Sequence, residues 1–185
     1  MIRYDEKNKA FLLNTENTTY GIAVVDDRYV EHLWYGAKIE GENLRYLLRE
    51  DEGPLTLAQK KRETGAFLDC APMELPETGM GDYRESALCV RSVAGHRASE
   101  LVYMGYEIMK GKPHLEGLPA TWGSESDSST LKIFCKDALL GMKVTLLYSV
   151  FNGSDALTRS VIVENKGTEP FYIEKILSAC LDMDD

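Results

Sequence analysis

The sequence predicts an all-β sandwich of mainly antiparallel strands. Short runs rich in β-branched and aromatic residues recur along the chain, and such residues favour strands over helices. Turn-forming residues separate the later runs at intervals of roughly ten residues, a spacing typical of sandwiches. An apolar repeat of helical period is nearly absent, so we expect fewer than about a tenth of the residues to be helical.

In the first part of the chain, the pattern predicts three strands in succession. They are FLLN at 11–14, TYGIAVVD at 19–26 and YVEHLWYGAKI at 29–39, separated by polar, turn-like residues. Residues 42–52, ENLRYLLREDE, form the one stretch that suits a helical turn or two. The strand pattern resumes with LVYMGYEIM at 101–109.

The second half of the chain predicts four closely spaced strands. These are LKIFCKD (131–137), MKVTLLYSVF (142–151), LTRSVIVENKG (157–167) and FYIEKILSACLDM (171–183). Gly141, Asn152-Gly153 and Lys166-Gly167 lie where the turns between them are expected. Polar and apolar residues alternate in TRSVIVEN, which predicts one buried and one exposed face.

Three segments are irregular in pattern. Residues 49–65 are charged and interrupted by Gly53-Pro54, and residues 71–86 carry two prolines among alternating charges. Residues 117–129 place a single tryptophan among small residues. Long loops on a β scaffold are where binding residues tend to lie, although solvated connectors have the same composition.

Composition limits the class of protein. The chain has 185 residues, is 44% hydrophobic and carries a formal net charge of −9, which fits one large globular domain over 1–185 or two small ones. The acidic balance argues against nucleic-acid binding, and no apolar run approaches the ~20 residues of a membrane span. The first residues lack the basic and apolar regions of a signal peptide. We therefore expect a cytoplasmic protein.

The cysteines and histidines do not predict a metal site. The four cysteines are far apart, without a C-x-x-C pair, and the three histidines do not lie at ligand spacing from them. These residues are Cys70, Cys89, Cys135, Cys180, His32, His96 and His114. We expect reduced thiols, mostly on buried strand faces, and no metal or cofactor.

The residues alone do not identify a reaction. The sequence contains no nucleophile elbow, P-loop, GxGxxG or H-E-x-x-H motif. Two carboxylates in a cleft would suit glycoside hydrolysis, but thirty acidic residues leave many possible pairs.

Four motifs in consecutive order resemble one known family. They are HLWYGAKI (32–39), PMELPETGMGDYR (72–84), GYEIMKGKPHLEGLPATWG (105–123) and the long closing run 136–182. Together they resemble the amino-terminal domain of bacterial α-galactosidases of glycoside hydrolase family 36. The similarity covers nearly the whole chain.

The resemblance implies a larger enzyme. Its layout is a galactose-mutarotase-like β-supersandwich, a (β/α)8 barrel and a small carboxy-terminal β domain. The two aspartates of the retaining mechanism lie on the barrel, so we expect this chain to be an incomplete amino-terminal domain without hydrolase activity of its own. The implied substrates are terminal α-galactosides such as melibiose and raffinose.

The resemblance also implies a role for one loop in a neighbouring subunit's sugar site. The family enzymes are usually homotetramers in which an aspartate follows a Tyr-Leu-Leu and an arginine follows about a dozen residues later. Asp51 follows Tyr46-Leu47-Leu48 and is the candidate acceptor for a galactose hydroxyl. Arg62 is the candidate arginine, with Lys60 and Lys61 as alternatives because the loop length differs.

Three further residues are candidates in the other irregular segments. Asp82 and Arg84, in Gly-Asp-Tyr-Arg, match the family's Gly-Asp-Phe-Arg and are expected to hold their loop in shape. Trp122 is a candidate for sugar stacking or an interface. Leu75 and Thr78 stand where relatives often have aromatic rings, which leaves their effect on specificity or assembly open.

The resemblance therefore predicts the non-catalytic amino-terminal domain of an α-galactosidase, serving oligomerisation and a partner's sugar site. The alternative is a free-standing carbohydrate-binding module. Such modules usually present two or three exposed aromatic rings, whereas these loops carry mainly charges and one tryptophan.

Overall fold

The computed structural model describes residues 1–40, 43–48, 68, 71–79, 84–117 and 119–181. Within these residues there are ten strands and one short 3-10 helix, Arg45–Leu47, and no α-helix. The strands are β1 Ile2–Asp5, β2 Ala10–Asn14, β3 Thr18–Val25, β4 Tyr29–Ala37, β5 Leu88–Ser92, β6 Val102–Lys110, β7 Ser128–Asp137, β8 Met142–Phe151, β9 Leu157–Asn165 and β10 Phe171–Ile176. The prediction of an all-β, antiparallel fold is confirmed.

The strands form two four-stranded sheets and a two-stranded one. The first sheet has the order β1-β2-β3-β4 and the second β6-β7-β8-β9, while β5 pairs with β10. Every strand pair is antiparallel. Consecutive strands are neighbours in both large sheets, as expected when short turns connect them.

The turn between β3 and β4 shows how local sequence sets the register. Asp26 and Asp27 both have positive φ, at 53° and 56°, and the Arg28 amide donates to the Val25 carbonyl at 2.9 Å. Val25 pairs with Tyr29, so three residues, Asp26 to Arg28, connect β3 to β4. Aspartate tolerates the left-handed region because its short side chain bonds locally.

The main core lies between the two large sheets. Phe11, Leu13 and Ile22 of the first sheet and Leu131 and Ile133 of the second are among its fully buried members. Aromatic contacts link facing strands: the Tyr4 and Tyr106 rings lie 4.6 Å apart, and the Tyr20 and Tyr148 rings 6.0 Å apart. β1 therefore faces β6, and β3 faces β8.

The first sheet is buried on its other face as well. Ala10, Leu12, Ala23 and Val25 form a second apolar cluster there. Segments outside the strands cover this cluster, so β3 is buried at nearly every position. The half-buried Trp34 packs against the same cluster.

Candidate functional site

The sequence-predicted site residues fall on separate segments of the fold. Asp51, Arg62 and Asp82 lie outside the described residues. Lys60 and Lys61 do so too. Arg84 and Trp122 are described, the first just before β5 and the second between β6 and β7. The described residues that flank Asp51, Arg62 and Asp82 form the surroundings of the candidate site.

The segment that carries Asp51 and Arg62 is anchored on both sides to one apolar cluster. Leu44 and Leu68 are buried in the cluster on the outer face of the first sheet, and Leu47 and Leu48 pack against it. Leu48 and Leu68 are the described residues nearest to Asp51 and Arg62 on either side. Full burial of a leucine side chain contributes about 1.5–3 kcal/mol, which applies to Leu44 and Leu68.

Arg45 adds polar contacts to the first attachment point. Its Nη1 donates to the Asn8 carbonyl at 3.0 Å and approaches the Val24 carbonyl at 3.4 Å. The guanidinium therefore joins the 3-10 helix to the β1–β2 turn and to β3. The Arg45 amide also donates to the Asn43 side-chain oxygen at 2.9 Å, which restricts the backbone at the start of the 3-10 helix.

A second segment, residues 71–79, connects this region to β5. The Glu74 amide donates to the Val30 carbonyl at 2.9 Å, and the His32 amide donates to the Pro72 carbonyl at 2.6 Å. The Ala87 amide donates to the Pro76 carbonyl at 2.8 Å. The segment thus bonds to β4 on one side and to the start of β5 on the other.

Glu74 is the centre of a buried polar cluster between the two large sheets. The side chain has no exposed surface, and it accepts hydrogen bonds from the Tyr20 and Tyr148 hydroxyls, each at 2.7 Å. His32 Nδ1 lies 3.2 Å from one oxygen and Arg159 Nη1 3.2 Å from the other. We call these five residues the Glu74 cluster.

The cluster draws its members from both sheets. Tyr20 and His32 belong to β3 and β4, while Tyr148 and Arg159 belong to β8 and β9. Arg159 also donates through Nη2 to the Glu74 carbonyl and lies over the Tyr148 ring, 5.2 Å from its centroid. One carboxylate on the 71–79 segment therefore contacts both layers of the sandwich.

The electrostatics of the cluster keep Glu74 ionised. Burial alone would raise the pKa of this carboxyl, but the His32 hydrogen bond and the Arg159 charge outweigh it and leave the pKa below the usual value. Burial and the adjacent carboxylate raise the pKa values of Tyr20 and Tyr148, so both phenols stay protonated and donate. An ionised, fully bonded and enclosed carboxylate suits a structural role rather than contact with substrate.

Sequence reasoning missed the Glu74 cluster. Its hydrogen-bonding partners Tyr20 and Tyr148 are 54 and 74 residues away along the chain, so no local spacing reveals it. The available signal was one acidic residue flanked by Met73 and Leu75 in a segment expected to be exposed. Leu75 is in fact buried in the main core.

Arg84 lies at the end of a small cavity beside this cluster. Its guanidinium donates to the carbonyl of Ala71, the first residue of the 71–79 segment, and so connects the start of that segment to the chain that follows it. The cavity, of about 60 Å³, is also lined by His32 and Cys180. The loop-holding role of Arg84 stays a prediction.

Trp122 lies in the 111–127 loop and is 80% exposed. Its ring is stacked on the His114 ring, with centroids 5.6 Å apart and planes inclined by 16°. The base of the loop is closed by the Lys112 amide, which donates to the Gly123 carbonyl at 3.0 Å. The loop placement predicted for Trp122 is therefore what the structure shows.

Glu77, at the other end of the 71–79 segment, is a buried carboxylate of a different kind. Its Oε1 accepts from the Leu101 amide at 2.7 Å. Burial raises the pKa of Glu77 to about 7, with Asp137 and Glu100 adding to the shift. A similar effect of burial raises the pKa of Glu31 on β4 to about 7.

The described part of the chain holds no cluster of three or more His, Cys, Asp or Glu side chains able to bind a metal ion. Cys89, Cys135 and Cys180 are free thiols, and Cys135 is buried. Cys70 lies outside the described residues. Across the same residues, no helix has the length and hydropathy needed to cross a bilayer.

Comparison with known proteins places this antiparallel sandwich among the amino-terminal domains of glycoside hydrolases. The model of the glycosyl hydrolase family 36 N-terminal domain matches residues 28–185. The chain belongs to this family.

Curated relatives are α-galactosidases. The bifunctional α-galactosidase/sucrose kinase AgaSK of Mediterraneibacter gnavus is 38% identical over 98% of this chain and 20% of its own length. The α-galactosidase Mel36A of Lactobacillus acidophilus is 32% identical over the whole chain and 26% of its own length. The chain therefore spans about a fifth to a quarter of the relatives it matches.

Solved structures agree with these matches. The galactosidase domain of AgaSK superposes with a TM-score of 0.90 at 38% identity, covering 98% of this chain and 25% of that one. The α-galactosidase of Lactobacillus brevis gives a TM-score of 0.91 at 27% identity, covering all of this chain and 25% of that one. An α-galactosidase variant of Geobacillus stearothermophilus, 30% identical, was solved with raffinose.

Proposed function

We propose that this chain is the non-catalytic amino-terminal domain of a cytoplasmic, homo-oligomeric α-galactosidase, and that it completes the sugar site of a neighbouring subunit. Family membership and the identity of the relatives support the enzyme class. The substrates are terminal α-galactosides such as melibiose and raffinose. Self-association, with a tetramer as the proposed state, brings the domain to its partner.

One observation supports the role in a neighbour's site. Leu48 and Leu68, on either side of the segment with Asp51 and Arg62, contact the apolar cluster on the outer face of the first sheet. Functional side chains are held more accurately when the residues that flank them are packed against the scaffold. Asp51 would accept hydrogen bonds from paired galactose hydroxyls, and Arg62 would donate to the sugar.

The test is Asp51→Ala in the full-length oligomeric enzyme. Loss of a charged hydrogen bond to substrate costs about 1.5–3 kcal/mol, so kcat/KM for melibiose is expected to fall roughly ten- to a hundredfold. The melting temperature is expected to stay unchanged, because a surface substitution shifts stability by less than about 0.5 kcal/mol. Glu50→Ala, one residue away, is the matched control and is expected to keep full activity.

Activity of Asp51→Ala within about twofold of wild type would remove the proposed role and leave a structural domain. If activity falls as expected, Arg62→Ala, compared with Lys60→Ala and Lys61→Ala, identifies which cation serves the site. The exposure of Trp122 favours a second candidate function, a free-standing carbohydrate-binding module. A module would bind sugar without affecting turnover by the enzyme, so the Asp51→Ala result also separates these two functions.

A further inference from the structure

The 111–127 loop presents an aromatic surface on a firmly held base. Besides the Lys112 amide, the Gly111 amide donates to the Ser128 carbonyl at 2.9 Å, which continues the pairing of the two arms. The Thr130 hydroxyl donates to the Gly111 carbonyl at 2.7 Å. The arms of the loop are thus bonded to each other and to β7.

Close packing restricts the loop next to Trp122. A Cβ placed on Gly123 would lie 2.8 Å from Ser128 Cβ and 2.9 Å from Phe151 Cε1, so this backbone is pressed against β7 and β8. Pro113 and Pro119 fix two further backbone angles in the loop. A tryptophan held in this way loses little conformational entropy when a ligand binds.

The stacking leaves one face of the indole available. His114 covers one side of the ring, and the side chain is nevertheless 80% exposed, so the opposite face is open to solvent. Exposed polar residues flank it along the chain: Thr121, Ser124 and Glu125.

We propose that His114 and Trp122 form a preformed platform for one hexopyranose ring of an α-galactoside. The negative face of an indole attracts the C–H groups on the less polar face of a pyranose, while neighbouring hydroxyl and carboxylate groups suit the hydroxyls at its edge. His114 supports the indole from behind and is a positioning residue. The identity of the sugar rests on the proposed function, but binding to the platform does not require Asp51.

The experiment uses the 185-residue chain with Trp34→Phe, which leaves Trp122 as its one tryptophan. Acrylamide quenching of its fluorescence is measured with and without raffinose. A single stacked ring gives a Kd of roughly 10–200 mM, so about 200 mM raffinose is expected to lower the quenching constant by roughly half. Sucrose, which lacks the galactose unit, is expected to have a much smaller effect at the same concentration.

His114→Ala supplies the matched comparison. Loss of the supporting ring is expected to weaken raffinose binding about threefold, in line with the strength of an aromatic pair. His96→Ala removes an exposed histidine from a different turn and is expected to leave binding unchanged. Circular dichroism verifies that each variant keeps the β fold.

Three results would overturn the platform. Quenching that raffinose does not alter, or that sucrose alters equally, excludes recognition of a galactoside at Trp122. Self-association that Trp122→Ala abolishes, without any effect of sugar, identifies the loop as a contact between copies instead. Failure of the proposed function is distinguishable, since it is read from Asp51→Ala in the enzyme and not from sugar binding by this chain.

Discussion

Replacement of Glu74 by glutamine tests whether one buried charge holds the two sheets together. The amide has nearly the same shape and still accepts a hydrogen bond, but it cannot neutralise Arg159, whose side chain is only 5% exposed. Removing one partner of a buried pair costs about 3–5 kcal/mol, because the other charge is left uncompensated. For a domain of this size, that loss lowers the melting temperature by roughly 6–20 °C.

The assay is urea unfolding of the 185-residue chain near neutral pH, followed by far-ultraviolet circular dichroism. Glu164→Gln is the matched control, because Glu164 is a surface carboxylate that pairs with Lys166 at 2.6 Å and Lys143 at 3.7 Å. Exposed pairs contribute little, so the midpoint of this control is expected to match wild type. Tyr20→Phe removes one hydrogen bond to the carboxylate and is expected to cost about 1.5–3 kcal/mol.

A double variant separates the charge from the packing. Glu74→Leu with Arg159→Met removes both charges and fills the space with apolar atoms, so it is expected to be more stable than Glu74→Leu alone. If Glu74→Gln unfolds within about 0.5 kcal/mol of wild type, the cluster does not bind the sheets together and the reasoning is refuted. Because the folded pKa of Glu74 is lowered, its contribution is present above its unfolded pKa and is lost as the pH falls through the folded value.

Two other changes test separate parts of the structure. Glu77 has a folded pKa of about 7 against 4.5 when unfolded, so it stabilises the fold below pH 4.5 and this contribution is lost as the pH rises to 7. Glu77→Gln keeps the acceptor for the Leu101 amide. Between about pH 5 and pH 8, the free energy of unfolding of this variant is expected to fall less than that of the wild-type chain. An equal fall in both would contradict the buried, protonated state of Glu77. Gly123→Ala forces a Cβ against Ser128 and Phe151, and we expect it to lower the free energy of unfolding in urea by about 1–3 kcal/mol. Gly117→Ala is the control: its Cβ would meet open space, but its φ of 75° is positive. Comparison of the two variants separates steric overlap from backbone strain. Equal stability of Gly123→Ala and wild type would show that the loop base is not closely packed.

The strands that local sequence predicts well are those whose pairing is also local. β7, β8 and β9 follow one another through short turns, and each has the alternation or β-branched content of a strand. Their predicted bounds differ from the observed ones mainly at the ends; β7, for example, begins at Ser128 rather than residue 131. β10 ends at Ile176, well before the predicted residue 183.

β1 and β5 were not predicted because each is short, and β5 also depends on a partner that is distant in the sequence. β1 is IRYD, a run of four with two charged residues, and it pairs with β2 along its full length. β5 lies 79 residues before its partner β10, at Ser92 and Phe171. Short segments of weak propensity become strands when a neighbouring edge supplies their hydrogen bonds.

The position of the 71–79 segment has the same long-range origin, and it bears on the proposed sugar site. The segment continues on one side into the stretch with Asp51 and Arg62 and on the other into Gly-Asp-Tyr-Arg. An apolar residue at position 74 would be buried at lower cost, but apolar contacts do not fix direction. The Glu74 carboxylate bonds to both sheets while Arg159 also holds the Glu74 carbonyl, so side chain and backbone of one residue are fixed together. Directional bonds from both layers therefore set where this segment lies, and the loops on either side start from that fixed point.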